Sequence, residues 1–284
     1  NDAVNACWMC DAGRLNYKWI GRPDRLTRVQ GPMARVEGLA SQVQSSKSKV
    51  QGQATTWSAV LKEISELLTK APVRSVALVA SARLTNEELF LLSKLKAKLG
   101  ALSDSIPRLG EGDKFLVNAD KNPNSNGARL TGIAATPIGS NLSKIADGIR
   151  SGTIKTLIVF GEDVTQHGIG AELLAKLESL IVCDILPNKT TELAHYLLPG
   201  AAHAEKRGTF TNVKGRVQRF MKAVEPPGDA RPEWEFLHEW VFNVTGQNGF
   251  ATIEGLFNQM ANEVPAFNGL TWANLGDTGV AIQI

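Results

Sequence analysis

Cysteine and tyrosine are scarce in this sequence, which has three Cys and two Tyr among 284 residues. Three cysteines cannot form an even set of disulfides, so cysteine usage favours a reducing, cytosolic setting. Long apolar runs are also missing, because stretches such as "VALVA" and "TLIVF" are far shorter than the roughly 18 residues of a membrane-spanning helix. The sequence therefore predicts no direct insertion into a membrane.

A strong excess of one charge is absent as well. The formal net charge is +3, with 31 Lys and Arg against 28 Asp and Glu. So small an excess gives no reason to expect a nucleic-acid partner unless the cations cluster on one surface. Hydrophobic residues at 43% and charged residues at 21% are typical of a folded globular chain. The N-terminal "NDAVNACWMC" has neither an initiator Met nor a signal pattern, so we expect a fragment or a processed chain.

Several common active-site signatures are missing. No Walker loop or GxGxxG fingerprint follows a predicted strand, which argues against an ATPase and an ordinary NAD-binding site. No GxSxG elbow is present, so a hydrolase of that type has no support. The four histidines lack ligand-like spacing to one another or to the cysteines, which argues against a mononuclear zinc site; they are His167, His195, His203 and His238.

Regular alternation of helix and strand patterns begins near Thr55. Helical spacing is seen in "TTWSAVLKEISELLTKA", "NEELFLLSKLKAKLG", "NLSKIADGIRSG", "GAELLAKLES" and "TTELAHY", and apolar strands in "SVALVA", "KTLIVFGED", "SLIVCDIL" and "LLPG". Strands that are apolar throughout predict a mostly parallel, doubly wound α/β sheet with both faces covered. We assign this α/β domain to residues 41–240, after an irregular segment 1–40 and before a helix and loop tail 241–284. Residues 101–140 are expected to be mostly loop.

Three polar segments follow predicted strands. They are "GEDVTQHG", "LPNKTTE" and "PGAAHAEKRGTF". Ligands of doubly wound folds bind beyond the carboxyl ends of the strands, where such segments gather. We therefore expect all three to line one edge of the sheet.

The stretch "EKRGTFTNVKGRVQ", residues 205–218, combines four cations with two glycines. Glycine permits close approach of a backbone to a phosphate, and Lys and Arg supply charge-assisted donors, so the loop is suited to a phosphate or pyrophosphate. The alternative is a solvated loop whose cations pair with carboxylates elsewhere in the chain. Composition alone leaves both interpretations open.

The segment "CWMCDAGRLNY" contains a Cys-x-x-Cys pair, Cys7 and Cys10. Such a pair fits half of a zinc ribbon, a redox dithiol or part of an iron–sulfur site. A cluster takes about four thiolates. The third cysteine, Cys183, lies in an apolar strand and is expected to be a small core residue, so this chain cannot fully ligate a cluster by itself.

Two stretches together resemble one family. "VNACWMCDAGRLNY" is similar to the signature that closes the iron–sulfur segment of molybdopterin-type oxidoreductases. Residues 180–240, from "LIVCDILPNKTTE" through "GTFTNVKGRVQ" to "EFLHEW", resemble a second long motif of that family. Within the family, the chain resembles in particular the molybdopterin-oxidoreductase-like subunit of bacterial NADH:quinone oxidoreductase (complex I), and "MANEVPAFNGLTWANLGDTGV" looks like the tail of that subunit.

The resemblance implies roles for particular residues. Residues 1–40 would end a 4Fe-4S subdomain, and Cys10 would be the last cluster ligand if the other cysteines are supplied. The loop would lie near the cofactor cleft of the molybdenum enzymes, as a vestigial pterin-side hairpin. The site residues implied there are Lys206, Arg207, Gly208, Thr209, Asn212, Gly215, Arg216 and Gln218.

The sequence departs from the family in lacking the upstream cysteines and a pterin-binding barrel after "PPG". The resemblance therefore implies a scaffold and docking region within that complex I subunit, which binds no cofactor itself and has no complete active site. Its partners would be other subunits of that complex, and its location cytoplasmic, peripheral to the inner membrane. The alternatives are a shortened, formate-dehydrogenase-like enzyme that binds molybdopterin guanine dinucleotide at the 205–218 loop, and a stand-alone nucleotide- or anion-binding module.

The tail 241–284 has scattered aromatic residues and little charge. It is expected either to pack back on the α/β domain or to contact another subunit, since aromatic residues concentrate in interface cores. The residues concerned are Phe242, Phe250, Phe257, Phe267 and Trp272.

Overall fold

A five-stranded parallel sheet forms the central layer of the protein. The computed structural model describes residues 2, 4–9, 11–32, 53–113, 115–247 and 250–284. The strands are β1 Val76–Ala80, β2 Leu102–Asp104, β3 Thr156–Phe160, β4 Ser179–Asp184 and β5 Tyr196–Pro199. Their order in the sheet is β2-β1-β3-β4-β5, and every neighbouring pair is parallel. The predicted α/β class with a mostly parallel sheet is confirmed.

Helices connect the strands and extend the chain at both ends. In the described part of the chain they are α1 Asp11–Leu15, α2 Trp57–Lys70, α3 Asn86–Leu99, α4 Ser125–Leu130, α5 Leu142–Arg150, α6 Ala171–Leu174, α7 Lys189–Glu192, α8 Glu233–Thr245 and α9 Ile253–Glu263. Short 3-10 turns lie at Lys18–Gly21, Val164–Gln166, His203–Glu205 and Pro265–Phe267. None of the helices described is long and apolar enough to cross a membrane.

Successive residues of each strand face opposite sides of the sheet, so two separate cores form. On one side Leu78 and Ile158 pack with apolar side chains of α2, α3, α8 and α9. On the other side Val79 and Val159 pack with side chains of α5 and α6. This explains why the strand sequences are apolar throughout.

Helix α3 begins and ends where the sequence predicts. Thr85 accepts a hydrogen bond from the amide of Glu88, and the Glu88 side chain accepts one from the amide of Thr85, which completes a capping box. Gly100 ends the helix with φ 59°, a left-handed conformation that glycine adopts without steric cost. Both signals are local, so the sequence alone is sufficient to locate them.

The described part of residues 101–140 is mostly loop, as predicted. It also contains the edge strand β2 and helix α4, which are both too short to give a clear periodic pattern. The Asp104 carboxylate fixes the following segment by accepting hydrogen bonds from the amides of Ala135, Gly139 and Asn141 at 2.8–3.0 Å. Buried side-chain acceptors of this kind order a loop without a regular element.

Two predicted helices are shorter than expected. The pattern "TTELAHY" gives only the single turn α7, because Tyr196 is the first residue of β5 and pairs with Ile181. The pattern "GAELLAKLES" gives only α6, with Leu173 and Leu174 buried. Both connections must return to the next parallel strand within few residues, which leaves no room for a longer helix.

The tail packs back on the α/β domain. Helix α8 runs across the predicted boundary at residue 240, and Trp240, Val244, Phe257 and Phe267 all belong to the same core. The domain boundaries themselves stay predictions. The irregular N-terminal segment also reaches the sheet, since Gln30 forms an isolated bridge with Leu197 of β5.

A small antiparallel sheet follows β5. It consists of β6 Gly208–Thr211, β7 Arg216–Phe220 and β8 Val280–Ala281, with β7 in the middle. Strands β6 and β7 form a hairpin in which Gly208 is opposite Phe220 and Thr211 is opposite Val217. Residues 208–218 of the 205–218 stretch therefore lie in an ordered hairpin.

Candidate functional site

The three polar segments that follow β3, β4 and β5 do meet at one edge of the sheet, as predicted. The Thr190 hydroxyl of the second segment donates to Asp163 of the first at 2.9 Å and accepts from the amide of Val164 at 3.0 Å. The amide of Gly200, at the start of the third, donates at 3.0 Å to the carbonyl of Asp184, the last residue of β4. Parallel strands place all their carboxyl ends on one side, which is why these segments lie at the same edge.

The strand order reverses between β1 and β3, which makes this the topological switch point of the sheet. From β1 the chain passes to β2 on one side and then crosses to β3 on the other. Loops at such a point diverge and leave a crevice in which ligands of doubly wound folds bind. The residues that follow β1 and β3 therefore form the first part of the candidate site.

Arg83 is a cation at this switch point. Its guanidinium donates to the Ser81 hydroxyl at 3.2 Å and to the Gly161 carbonyl at 2.7 Å, while the residue remains exposed. Gly161 adopts φ 66°, and a Cβ there would lie 3.2 Å from the Ser81 side chain. Glycine thus permits the loops after β1 and β3 to approach closely beneath the guanidinium.

Carboxylates surround this cation. Glu162 is buried and forms a two-point ion pair with Arg108, of which one hydrogen bond is 2.7 Å long. Asp184, at the end of β4, accepts from the amide of Ile185 and the amide group of Asn188. Burial raises the pKa of Asp184, and Arg83 partly opposes this effect. The edge therefore offers one exposed guanidinium beside polar groups that can accept hydrogen bonds.

The hairpin is the second part of the candidate site, and its first cations are engaged within the chain. Lys206 is buried, with its Nζ 2.9 Å from Glu88 Oε1 and 2.7 Å from Glu233 Oε2. The two carboxylates raise the pKa of Lys206 above its ordinary value, although burial alone would lower it. Because its ammonium already faces two carboxylates, Lys206 has no free face toward a phosphate in this conformation.

Arg207 is also paired. Its guanidinium donates to Glu254 on α9 and lies 5.4 Å from the centre of the Trp272 ring. Such stacking of a guanidinium on an aromatic face is a common stabilising contact. Arg207 thereby links the hairpin to the C-terminal tail.

Gly208 and Thr209 pack against the beginning of α3. A Cβ on Gly208 would lie 2.5 Å from the Thr85 side chain, so only glycine allows the strand to come this close. The Thr209 amide and hydroxyl both donate to Glu87, at 3.0 Å and 2.8 Å, and Asn86 donates to the same hydroxyl at 3.0 Å. The polar residues of the first strand are therefore satisfied internally.

The far end of the hairpin is held by its own side chains. Asn212 accepts from the amides of Lys214 and Arg216 and donates to Gln218 at 3.3 Å. Gly215 lies between them with φ 76°. The Arg216 guanidinium donates to the Gly279 carbonyl at 2.7 Å. Lys214 remains exposed at the tip.

The structure brings all eight predicted hairpin residues together, and their assignment as a pterin-side loop stays a prediction. The prediction for Cys10 falls outside the described residues. Cys7 is exposed. Within the described ranges, no group of three or more His, Cys, Asp or Glu side chains is arranged to hold a metal ion.

Sequence reasoning missed the polar groups at the switch point. Arg83 lies directly after a predicted strand, and that position is a usable signal, but we expected only the loops after the three later strands to form the edge. Arg108 gives no such signal, because it lies in a region expected to be loop. The capping role of Glu88 depends on neighbouring residues, but its second contact, with Lys206, is not visible in the local sequence.

Comparison with known proteins shows a family match in the middle part of this chain. Residues 118–240 match the family model described as Molybdopterin oxidoreductase. This segment is similar to that family. The match includes strands β3, β4 and β5, the hairpin and the beginning of α8, so the resemblance of residues 180–240 to molybdopterin-type oxidoreductases is confirmed.

The chain is also similar to parts of longer oxidoreductases. The chain is 38% identical over 148 residues to the NADPH-Fe(3+) oxidoreductase subunit alpha of Geobacter sulfurreducens. This alignment covers 51% of this chain and 17% of the relative. The chain is 27% identical over 187 residues to formate dehydrogenase H of Escherichia coli. This alignment covers 64% of this chain and 25% of the relative. The chain thus spans a quarter or less of the length of these relatives.

Proposed function

We propose that this chain is part of an electron-transfer subunit related to the molybdopterin-oxidoreductase-like subunit of complex I, in which it acts as a scaffold and a docking domain. The observation that carries the proposal is the environment of the hairpin cations. Lys206 is buried between two carboxylates, and Arg207 is paired with Glu254. A phosphate would have to displace these partners, so the side chains are better suited to holding the fold together than to binding a cofactor.

The scaffold would support an iron–sulfur segment at its N-terminal side. In this proposal Cys10 is the last ligand of a 4Fe-4S cluster, whose other thiolates come from outside this chain, because a cluster takes about four. The other partners are further subunits of an NADH:quinone oxidoreductase or a related complex. The complex would place the domain on the cytoplasmic side of the inner membrane, as a peripheral component.

A second candidate is a pterin-dependent enzyme part, and the exposed Arg83 at the switch point favours it. A guanidinium beside Gly161 fits a phosphate of molybdopterin guanine dinucleotide better than the hairpin cations do, because its outer face is accessible to a ligand. The carboxylate of Asp184 could accept from the amino group of a guanine. When bound, such a cofactor would supply the redox chemistry, and the residues described here would only bind and orient it.

Anaerobic purification followed by elemental analysis tests the two candidates. The scaffold proposal predicts neither molybdenum nor stoichiometric iron and sulfide in the isolated chain. Bound molybdenum would contradict it and support the second candidate. Stoichiometric iron and sulfide would contradict the proposed dependence of Cys10 on outside thiolates.

A titration with guanosine diphosphate, which carries the guanine and pyrophosphate of the dinucleotide cofactor, adds a test that needs no loaded enzyme. The scaffold proposal predicts no heat of binding at millimolar ligand. Binding that is lost in Arg83→Gln but retained in Arg150→Gln would support the second candidate, since Arg150 lies on α5 with an exposed side chain paired to Asp147. Binding that both variants retain would contradict the crevice as the cofactor site.

A further inference from the structure

Three carboxylates and one ammonium are buried together where the hairpin meets two helices. Glu87 and Glu88 lie in the first turn of α3, Glu233 is the first residue of α8, and Lys206 lies two residues before the first residue of β6. The side chains of Lys206, Glu88 and Glu233 are at most 5% exposed, and Glu87 is fully buried as a residue. We define this group as the Lys206 cluster.

The cluster connects separate parts of the fold. Lys206 Nζ contacts Glu88 on α3 and Glu233 on α8 at the same time. Glu87 accepts two hydrogen bonds from Thr209 in β6. The hairpin is therefore held on the two helices chiefly by charged and polar contacts, whose strength depends on which groups are ionised.

The other charged groups facing the cluster do not supply a second free cation. Glu205 is beside Lys206 but forms its own two-point pair with Arg25. From β4, the Cys183 thiol lies near Glu233 and Lys206 and carries no positive charge. His203 lies close enough to Lys206 that this neighbour, after burial, lowers the pKa of the imidazole.

Ionisation of all three carboxylates would leave an excess of buried negative charge. The N-termini of α3 and α8 favour anions and compensate part of this charge. Burial nevertheless raises the pKa of Glu87 to about 7 and also raises the pKa of Glu233, although Lys206 opposes the shift of Glu233, and Glu88 adds to both increases. The folded cluster therefore binds protons at a higher pH than the same carboxyl groups do when they are exposed to water.

We propose that the Lys206 cluster is a pH-sensitive latch, which fastens the hairpin to α3 and α8 at neutral and mildly acidic pH and loosens it in alkali. The sign follows from proton binding. At pH values between the ordinary pKa of a carboxyl group and the raised pKa values of Glu87 and Glu233, the latched state binds more protons than the open state. Opening therefore becomes easier as the pH rises through this window. The hairpin carries the long family motif, so the latch controls access to that part of the molecule.

Hydrogen exchange measured by mass spectrometry between pH 6 and pH 9 tests the latch. After correction for the intrinsic exchange rate, we expect opening of the amides in β6 and β7 to increase by roughly tenfold to a hundredfold over this range. Amides of β3 serve as the internal reference and should change much less. An unchanged hairpin, or an equal change in β3, would overturn the proposal.

Variants test which carboxyl groups cause the pH dependence of hairpin opening. Glu233→Gln keeps an acceptor for Lys206 but cannot ionise, and should remove most of the pH dependence of hairpin opening. Glu87→Gln provides a second, independent variant in case the first does not fold. The control is Glu239→Gln on the same helix α8, which should keep the wild-type pH profile. A wild-type profile in both cluster variants would overturn the assignment.

Discussion

Arg25 and Glu205 form a two-point ion pair that joins the irregular N-terminal segment to the 3-10 turn before the hairpin. Both N–H···O distances are 2.8 Å, the two residues are 180 positions apart in the chain, and their side chains are 2% and 3% exposed. Arg25 also donates to the Ile20 carbonyl at 2.7 Å, and Glu205 accepts from the amide of Ala202. The pair is thus the centre of a small buried network.

The first prediction concerns this pair. Arg25→Ala leaves the Glu205 carboxylate buried without its cation, and we expect the free energy of unfolding to fall by about 3–5 kcal/mol. Arg22→Ala is the matched control, because its partner Asp24 and Arg22 itself are about half exposed, and it should cause no measurable loss. Urea denaturation of both variants checks the prediction, and equal stability of the two would contradict it.

Gly208→Ala tests the close approach of the hairpin to α3. The added methyl group would lie 2.5 Å from the Thr85 side chain and 3.2 Å from Glu87, so strand and helix must separate. We expect a loss of about 1–3 kcal/mol in the free energy of unfolding.

The matched control is Gly21→Ala, where an added Cβ would meet nothing within 4 Å. Its stability should stay within about 0.5 kcal/mol of the wild type. Thermal denaturation compares the two glycine variants under one condition. If Gly208→Ala were as stable as the control, the hairpin would not be packed on α3 as described.

Phe236→Ala tests whether α8 is part of the main core. Phe236 is fully buried and stacks on Trp57 of α2, with ring centroids 4.6 Å apart. Removing this ring should cost about 3–5 kcal/mol. Phe242 lies on the same helix with 46% of its surface exposed, and Phe242→Ala should cost well under half as much. Denaturant titration gives both values, and similar losses would contradict the placement of α8.

Cysteine labelling tests the burial of β4. Burial, followed by the charges of Glu233 and Asp184, raises the pKa of the Cys183 thiol well above its ordinary value, whereas Cys7 is exposed. Because the thiolate is the reacting form, iodoacetamide should modify Cys7 readily and Cys183 only after denaturation. Peptide mass spectrometry reads both positions, and rapid labelling of Cys183 in the native protein would show that the strand is not in the core.

Much of the regular structure can be predicted from local sequence. The capping box of α3 and the glycine at its end depend on residues within one turn of each other, and strands β1, β3 and β4 are apolar runs of sufficient length. The short elements β2 and α4 could not be predicted, and the helix at "TTELAHY" was predicted too long. Partners far away in the chain stabilise β2, as Asp104 shows by accepting hydrogen bonds from the amides of residues 135, 139 and 141.

The sequence by itself determined the α/β class, the gathering of three polar segments at one sheet edge and the resemblance to molybdopterin-type oxidoreductases. These features depend on periodicity, on the direction of parallel strands and on short motifs. Only the tertiary structure decided which partners the hairpin cations have. Lys206 meets Glu88, 118 positions away, because the fold brings the start of α3 beneath the hairpin. A sequence shows that a cation is present, but burial and distance determine whether it faces a ligand or a carboxylate of its own chain.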